Sequence, residues 1–265
     1  ADAGVAKPSL RALASECPNC GADLALPARA RIAFCGTCAL GIRVTAEGLS
    51  ACAYALGELP EISAAERRLG FPFWSLPFRV RADGREWTRV WDWLEAVSPQ
   101  PAALRFREQD PAQCRLFIPA RAIFGTPELD AAFAALTATA TWRQPRLRAD
   151  RATPADRLPL LDVELDASEA LSLARYALVA LHDAQSTRKL NGLSFRKLVA
   201  EAEFVAGEAE LAVLPLRVYE DHWIPSPANA APDPAQAPPG MRAVPEAVLA
   251  DTGALPRVAR AFSLS

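Results

Sequence analysis

Cys17-Pro18-Asn19-Cys20-Gly21 and Cys35-Gly36-Thr37-Cys38 are the stretches on which the reading of this chain turns. Each is a C-x2-C pair, and fourteen residues separate Cys20 from Cys35. A C-x2-C turn points two sulfurs and several backbone N–H groups at one spot. Two such turns facing each other close a tetrahedral cage of thiolates, with metal–sulfur bonds of about 2.3 Å. Four sulfurs fill the shell and leave no position for water or substrate. The candidate metal ligands are therefore Cys17, Cys20, Cys35 and Cys38, with zinc the expected ion and iron the alternative, because the same cage accepts either. Two disulfides compete for the same residues, and the paired spacing favours the metal. Thiols kept as ligands imply a reducing compartment, so the expected localisation is cytoplasmic.

The run CPNCGADL followed by FCGTC resembles the zinc-ribbon family, with knuckles of the rubredoxin type, over residues 14–46. The resemblance implies a small ribbon fold held by a structural metal that stands in for a hydrophobic core. The intervening residues 22–34 are long enough for a short hairpin that carries the second knuckle over the first. An iron centre of the rubredoxin kind would also want an aromatic shell around the cluster, which this stretch does not spell out.

Outward from the ribbon, the chain runs to 265 residues with 29 Lys+Arg against 31 Asp+Glu and 51% hydrophobic residues. It is long enough for one large domain or two small ones. No window approaches the roughly 18 to 20 uninterrupted apolar residues of a membrane span, so a soluble protein without a transmembrane segment is expected. The first residues also lack the apolar stretch of an uncleaved signal peptide. The expected organisation is a tail over 1–13, the zinc ribbon over 14–50, a partly helical connector over 51–69, an antiparallel-sheet α+β domain over 70–224 and an extended Pro-rich tail over 225–265. Val44 to Ser50 reads as the ribbon's last strand and turn.

Within the main domain, Phe71-Pro72-Phe73-Trp74-Ser75-Leu76-Pro77-Phe78-Arg79-Val80-Arg81 is apolar, aromatic and broken by prolines, which predicts an edge or bulged strand. Asp83-Gly84 then predicts a two-residue type I′ hairpin that sets Val80 opposite Trp87 and Arg81 opposite Glu86. Trp87, Val90, Trp91 and Leu94 also fit a helical repeat, so the end of the returning strand is ambiguous. Short strands are expected over 103–107 and 115–119. Pro127-Glu128 opens a helix through about Thr139, followed by a basic connector over 143–157. Leu158 to Leu165 reads as a strand. Asp166-Ala167-Ser168-Glu169 reads as a capping box for a helix that carries Leu171, Ala174, Tyr176, Leu178 and Leu181. Residues 197–205 and 209–219 are expected to pair as a second hairpin. Ser75 to Val80 and Val213 to Val218 share an L-P-hydrophobic-R-V pattern, which suggests either duplication or coincidence.

Catalytic signals are sparse. Both histidines, His182 and His222, stand beside an aspartate, but adjacent side chains diverge on helix and strand alike and make no acid–base pair by adjacency. His182 lies near a helix C-terminus, where a cation is favoured; His222 sits in the polar and aromatic cluster Tyr219 to Trp223. No phosphate-cradling loop or nucleophile elbow is present, and the chain is read as having no enzymatic activity. Nucleic-acid binding fits poorly with a ribbon of nearly balanced charge, although Arg143, Arg146, Arg148 and Arg151 form a basic run. Cys52 and Cys114 read as small buried hydrophobes.

Seven prolines crowd 225–245, in a segment too poor in large apolar residues to order itself alone. Stiff, extended arms of this kind suit wrapping a partner, and some of the six tryptophans are candidate interface anchors. The expected function is thus a non-catalytic zinc-ribbon subunit or adaptor in a larger protein assembly. A rubredoxin-like electron-transfer module and a nucleic-acid-binding protein are the alternatives.

Overall fold

The computed structural model describes residues 15–58, 68–90, 92–93, 114–148, 158–185, 201–205, 207–219, 222–225 and 244–245. The expected N-terminal tail, the strand over 103–107 and nearly all of the Pro-rich tail lie outside them. The fold is mixed α+β.

Three short strands, β1 (Ile32–Phe34), β2 (Gly41–Thr45) and β3 (Gly48–Cys52), form an antiparallel sheet in the order β1-β2-β3. The stretch read as one strand and a turn is thus a hairpin with strands on both sides. Residues 22–31 do not form the hairpin expected between the knuckles. Asp23 makes a single bridge to Glu16, and the chain then turns through Pro27 and Ala30, whose N–H donates to the Pro27 carbonyl at 3.0 Å.

The main sheet is built on β5 (Arg68–Pro77) and β11 (Glu210–Tyr219), which pair antiparallel from Arg68↔Arg217 to Ser75↔Glu210. On its other side β5 pairs with β8 (Arg115–Pro119). The far side of β11 is shared between β4 (Ala55–Gly57), its one parallel partner among the described strands, and β12 (His222–Pro225). β9 (Leu147–Arg148) extends the sheet from β4, and β13 (Val244–Pro245) extends it from β12. Part of the segment read as a helical connector is therefore a strand of the main sheet. A fragment of the Pro-rich tail likewise returns to its own chain, Trp223 opposite Val244.

β5 is an interior strand, and the expectation of an edge is corrected. Its prolines sit where the missing N–H costs no ladder bond. Pro72 faces the β8 side, where its carbonyl accepts from Ala120 N–H at 2.9 Å; the Ala120 carbonyl, which Pro72 cannot serve, accepts instead from Glu164 and Leu165. Pro77 lies beyond Ser75↔Glu210, where β11 begins. On β11, Pro215 stands opposite Gly70, whose own N–H and C=O turn away to Pro159 and Leu161. Alternation of bonded and non-bonded pairs makes such positions available inside a sheet.

The Asp83-Gly84 hairpin has the predicted register, Val80↔Trp87 and Arg81↔Glu86, between β6 (Val80–Ala82) and β7 (Arg85–Trp87). Both turn residues have positive φ, 48° and 68°, as a type I′ turn requires, and Arg81 Nε meets Glu86 Oε2 at 2.6 Å. The strand ends at Trp87; Val90, Asp92 and Trp93 are helical. Among the described residues the second predicted hairpin does not form. β10 (Glu203–Phe204) pairs with β6 rather than β11, so residues 201–205 complete a separate small sheet.

Helix α1 (Pro127–Arg143) starts with Thr126 as N-cap and proline in its first turn, and runs four residues past the expected Thr139. It packs on β8 and on α3 (Ala174–Gln185), and also meets β12 and β13. The helix is therefore flanked by both ends of the antiparallel run β8-β5-β11-β12-β13. α2 (Ala167–Ser172) and α3 are two helices where the sequence suggested one, separated at Leu173, whose N–H is shared between the Glu169 and Ala170 carbonyls. Their buried face is Ala170, Ala174, Ala177, Leu178 and Leu181. Tyr176, on the same helix, is exposed and lies against Phe133.

Candidate metal centre

The two knuckles are built to one plan. In the first, Cys17 N–H donates to the Ala22 carbonyl at 2.8 Å, and Gly21 N–H to the Cys17 carbonyl at 2.8 Å. In the second, Cys35 N–H donates to the Leu40 carbonyl at 3.0 Å, and Ala39 N–H to the Cys35 carbonyl at 2.8 Å. Such a tight loop forces its fifth residue into the left-handed region, φ 71° at Gly21 and 57° at Ala39. The second cysteine of each knuckle then accepts a hydrogen bond from the backbone N–H two residues on, Ala22 for Cys20 and Leu40 for Cys38.

The structure brings all four predicted ligands together. Their sulfurs lie within 4.8 Å of one another, with Cys17 Sγ 3.6 Å from Cys38 Sγ and Cys20 Sγ 3.6 Å from Cys35 Sγ. A tetrahedron with bonds of about 2.3 Å has sulfurs about 3.8 Å apart, so the cage has the size a metal requires. None of the six cysteines forms a disulfide. Cys17 and Cys35 are buried, Cys38 is half-buried and Cys20 is exposed, so the centre has one open side. Around it Leu24 and Ile42 are buried, with Leu26, Leu40 and Leu49 packed on them. That cluster is too small to hold a ribbon unaided.

Electrostatics divides the sulfurs. Burial opposes the Cys38 thiolate, but the Asn19 side chain and the Leu40 N–H donate to it, and its pKa falls to about 6. At Cys20 the Ala22 N–H favours the thiolate, yet desolvation and the neighbouring sulfurs of Cys35, Cys38 and Cys17 outweigh it and push the pKa up to about 12. Crowded sulfurs share protons when nothing positive stands between them. A divalent ion at the centre removes that conflict, since a coordinating thiol is deprotonated outright. The donor set thus fits a metal ion and accommodates zinc or iron.

One neighbour was not legible in the sequence. Tyr54, in the stretch read as connector, donates from its hydroxyl to the Ala39 carbonyl at 2.8 Å, and its ring meets Phe34 edge-on at 5.1 Å. The second knuckle therefore has an aromatic pair beside it. Tyr54 is reached from Cys38 only through the sheet, and no local motif announces the contact.

The other candidates are scattered. His182 lies in the last turn of α3 and His222 opens β12 opposite Tyr219. Cys114 is buried beneath the Val90 N–H, and Cys52 ends β3, half-buried. Among the described tryptophan side chains, Trp74 and Trp93 are buried, and Trp87 is half-buried with its ring edge-on to Trp93 at 5.1 Å. None of these is an exposed anchor. Among the described residues no helix is long and apolar enough to cross a membrane. Comparison with protein-family models, curated proteins and solved structures finds no match to this chain.

Proposed function

We propose that the chain is a non-catalytic zinc-ribbon subunit or adaptor of a larger protein assembly, working in a reducing, cytoplasmic setting. The observation that carries this reading is the closed shell: four sulfurs within 4.8 Å of one another leave no coordination position for a substrate. On this reading the ribbon over 14–50 is attached to an α+β body whose sheet takes in β4 and the start of β5 from the stretch 51–69, and the Pro-rich residues beyond 225, apart from the Val244–Pro245 strand paired with β12, contact the partner. Native mass spectrometry of the protein isolated gently from its own source tests it. One zinc per chain in a stable complex supports the adaptor, whereas a solitary metal-bound monomer removes the partner.

The exposure of Cys20 favours one alternative, a rubredoxin-like module with iron in the same cage, because an accessible thiolate is a path for an electron to a partner. Colour separates the two, since ferric thiolate absorbs in the visible and zinc thiolate does not.

A further inference from the structure

The extended segment Leu160–Leu165 touches every part of the described molecule that surrounds it. Toward the ribbon, Arg31 N–H and Ile32 N–H donate to the Val163 carbonyl at 2.7 and 3.3 Å, and Val163 N–H returns to the Ile32 carbonyl at 2.8 Å. Toward β5, Leu161 N–H donates to Gly70 at 2.9 Å, and Trp74 Nε1 donates to the Leu165 carbonyl at 2.8 Å. Toward the loop after β8, Glu164 and Leu165 N–H groups share the Ala120 carbonyl. There the buried Arg121 guanidinium meets Glu164 Oε1 at 2.8 Å and the Asp162 carbonyl at 2.9 Å. One residue further on, Asp166 caps α2. Across the join, Arg31 reaches Glu169 at 3.9 Å.

Ile32 makes this arrangement consequential. It begins β1, three residues before the ligand Cys35, yet its side chain is 3% exposed and belongs to the core of the main body rather than to the ribbon's own small cluster. The strand that leads into Cys35 therefore contributes a core residue to the body. We infer that Leu160–Leu165 is a coupling element: metal loading of the ribbon sets the order of this segment and of the α2 start behind it, so that the body's conformation reports whether the ribbon is loaded. Thermodynamic linkage makes the effect mutual, and loosening the segment weakens metal binding by the same factor. The inference rests on the metal site and not on any partner.

Hydrogen exchange on the full chain, with zinc bound and after chelation, tests it. Zinc is expected to slow exchange at least tenfold at Val163, Glu164, Leu165 and Ala170 as well as over 15–52. A zinc effect confined to 15–52 overturns the coupling even though the metal site stands. A chain that takes up no zinc, read by mass spectrometry of the same sample, overturns the metal site and the coupling with it. Val163→Pro, which deletes the N–H given to Ile32, should keep zinc stoichiometry at one while abolishing the zinc effect at Leu165 and Ala170. Retention of that effect in a folded variant also counts against the proposal. Should Val163→Pro not fold, Arg31→Gln, which removes the charge that faces Glu169 and the Asp166 cap at the start of α2, should reduce the zinc effect at Ala170, and an unchanged effect there counts against it.

Discussion

Ala39 holds a left-handed backbone, φ 57°, at the position where the first knuckle places Gly21. A Cβ in that region costs about 1–2 kcal/mol, so the second knuckle carries strain that the first does not. Ala39→Gly should raise the stability of the metal-bound protein by about 0.5–1 kcal/mol, after the extra unfolded-state entropy of glycine is subtracted. Thermal unfolding with metal in excess measures it, and a destabilised variant would mean that the Tyr54 contact, and not the backbone, governs the loop. Asp166 makes a pH prediction at the same scale. The Glu169 N–H, followed by the Ser168 hydroxyl, holds its carboxyl below the usual range, against slight desolvation. Its folded pKa is depressed, so its contribution is fully present above the unfolded value near 3.8 and disappears as pH falls through the folded one. Asp166→Asn keeps an acceptor at the cap without the titration. Its acid unfolding curve should therefore run shallower than the wild type's below pH about 4.

At the scale of elements, the outer edge of β8 is the place to look. Its inner groups pair with β5, which leaves the Arg115 and Phe117 backbone groups facing away from the sheet. The end of α1 serves them. Thr141 Oγ1 accepts from Phe117 N–H at 3.0 Å, and Gln144 both accepts from Arg115 N–H at 2.7 Å and donates to its carbonyl at 2.6 Å. Two side chains thus take up the Arg115 N–H and carbonyl and the Phe117 N–H as a further strand would, which blunts this edge against pairing with other chains. Thr141→Val keeps the shape and orphans a buried N–H, so it should cost about 1–3 kcal/mol in denaturant unfolding, while Thr141→Ser should restore most of it. This scale also separates what was legible. Asp83-Gly84 and the Asp166 capping box were readable with their registers, because each is complete within a few residues. The partner of β10 was not, since Phe204 chooses Val80 across more than a hundred residues. The prolines of β5 misled for a related reason. Whether a missing N–H matters depends on which neighbour stands opposite, and only the folded sheet says that Ala120 is served by Glu164 and Leu165. Of the candidate site, the gathering of Cys17, Cys20, Cys35 and Cys38 was legible from spacing alone, whereas Tyr54 and the join at Ile32 depend on tertiary pairing.

For the whole molecule the question is how far the loss of the metal reaches. An apparent binding free energy of about 10–16 kcal/mol is typical of structural zinc, comparable with the entire stability of an ordinary domain, about 5–15 kcal/mol. The ribbon's buried cluster of Cys17, Leu24, Cys35 and Ile42 cannot supply that. The body is different: Phe71, Phe73, Leu76, Phe117, Ile118 and Leu214 are almost fully buried in its own core, and none of them belongs to the cluster around the cysteine cage. Cys35→Ser removes a buried candidate ligand and should lower metal content from one per chain to none. It should also open residues 15–52 to proteolysis while the central β5–β8–β11 core stays cooperative. Mass spectrometry of the folded protein reads the first effect and limited proteolysis the second. Unchanged metal content would remove Cys35 from the ligand set. A cut pattern that spreads at once into β5 would mean that the ribbon is a structural part of the body, through Ile32, rather than a module joined to it. The proximity of Ile32 to Val163 makes an intermediate extent the expected result, with cleavage reaching the Leu160–Leu165 segment and stopping at the sheet behind it.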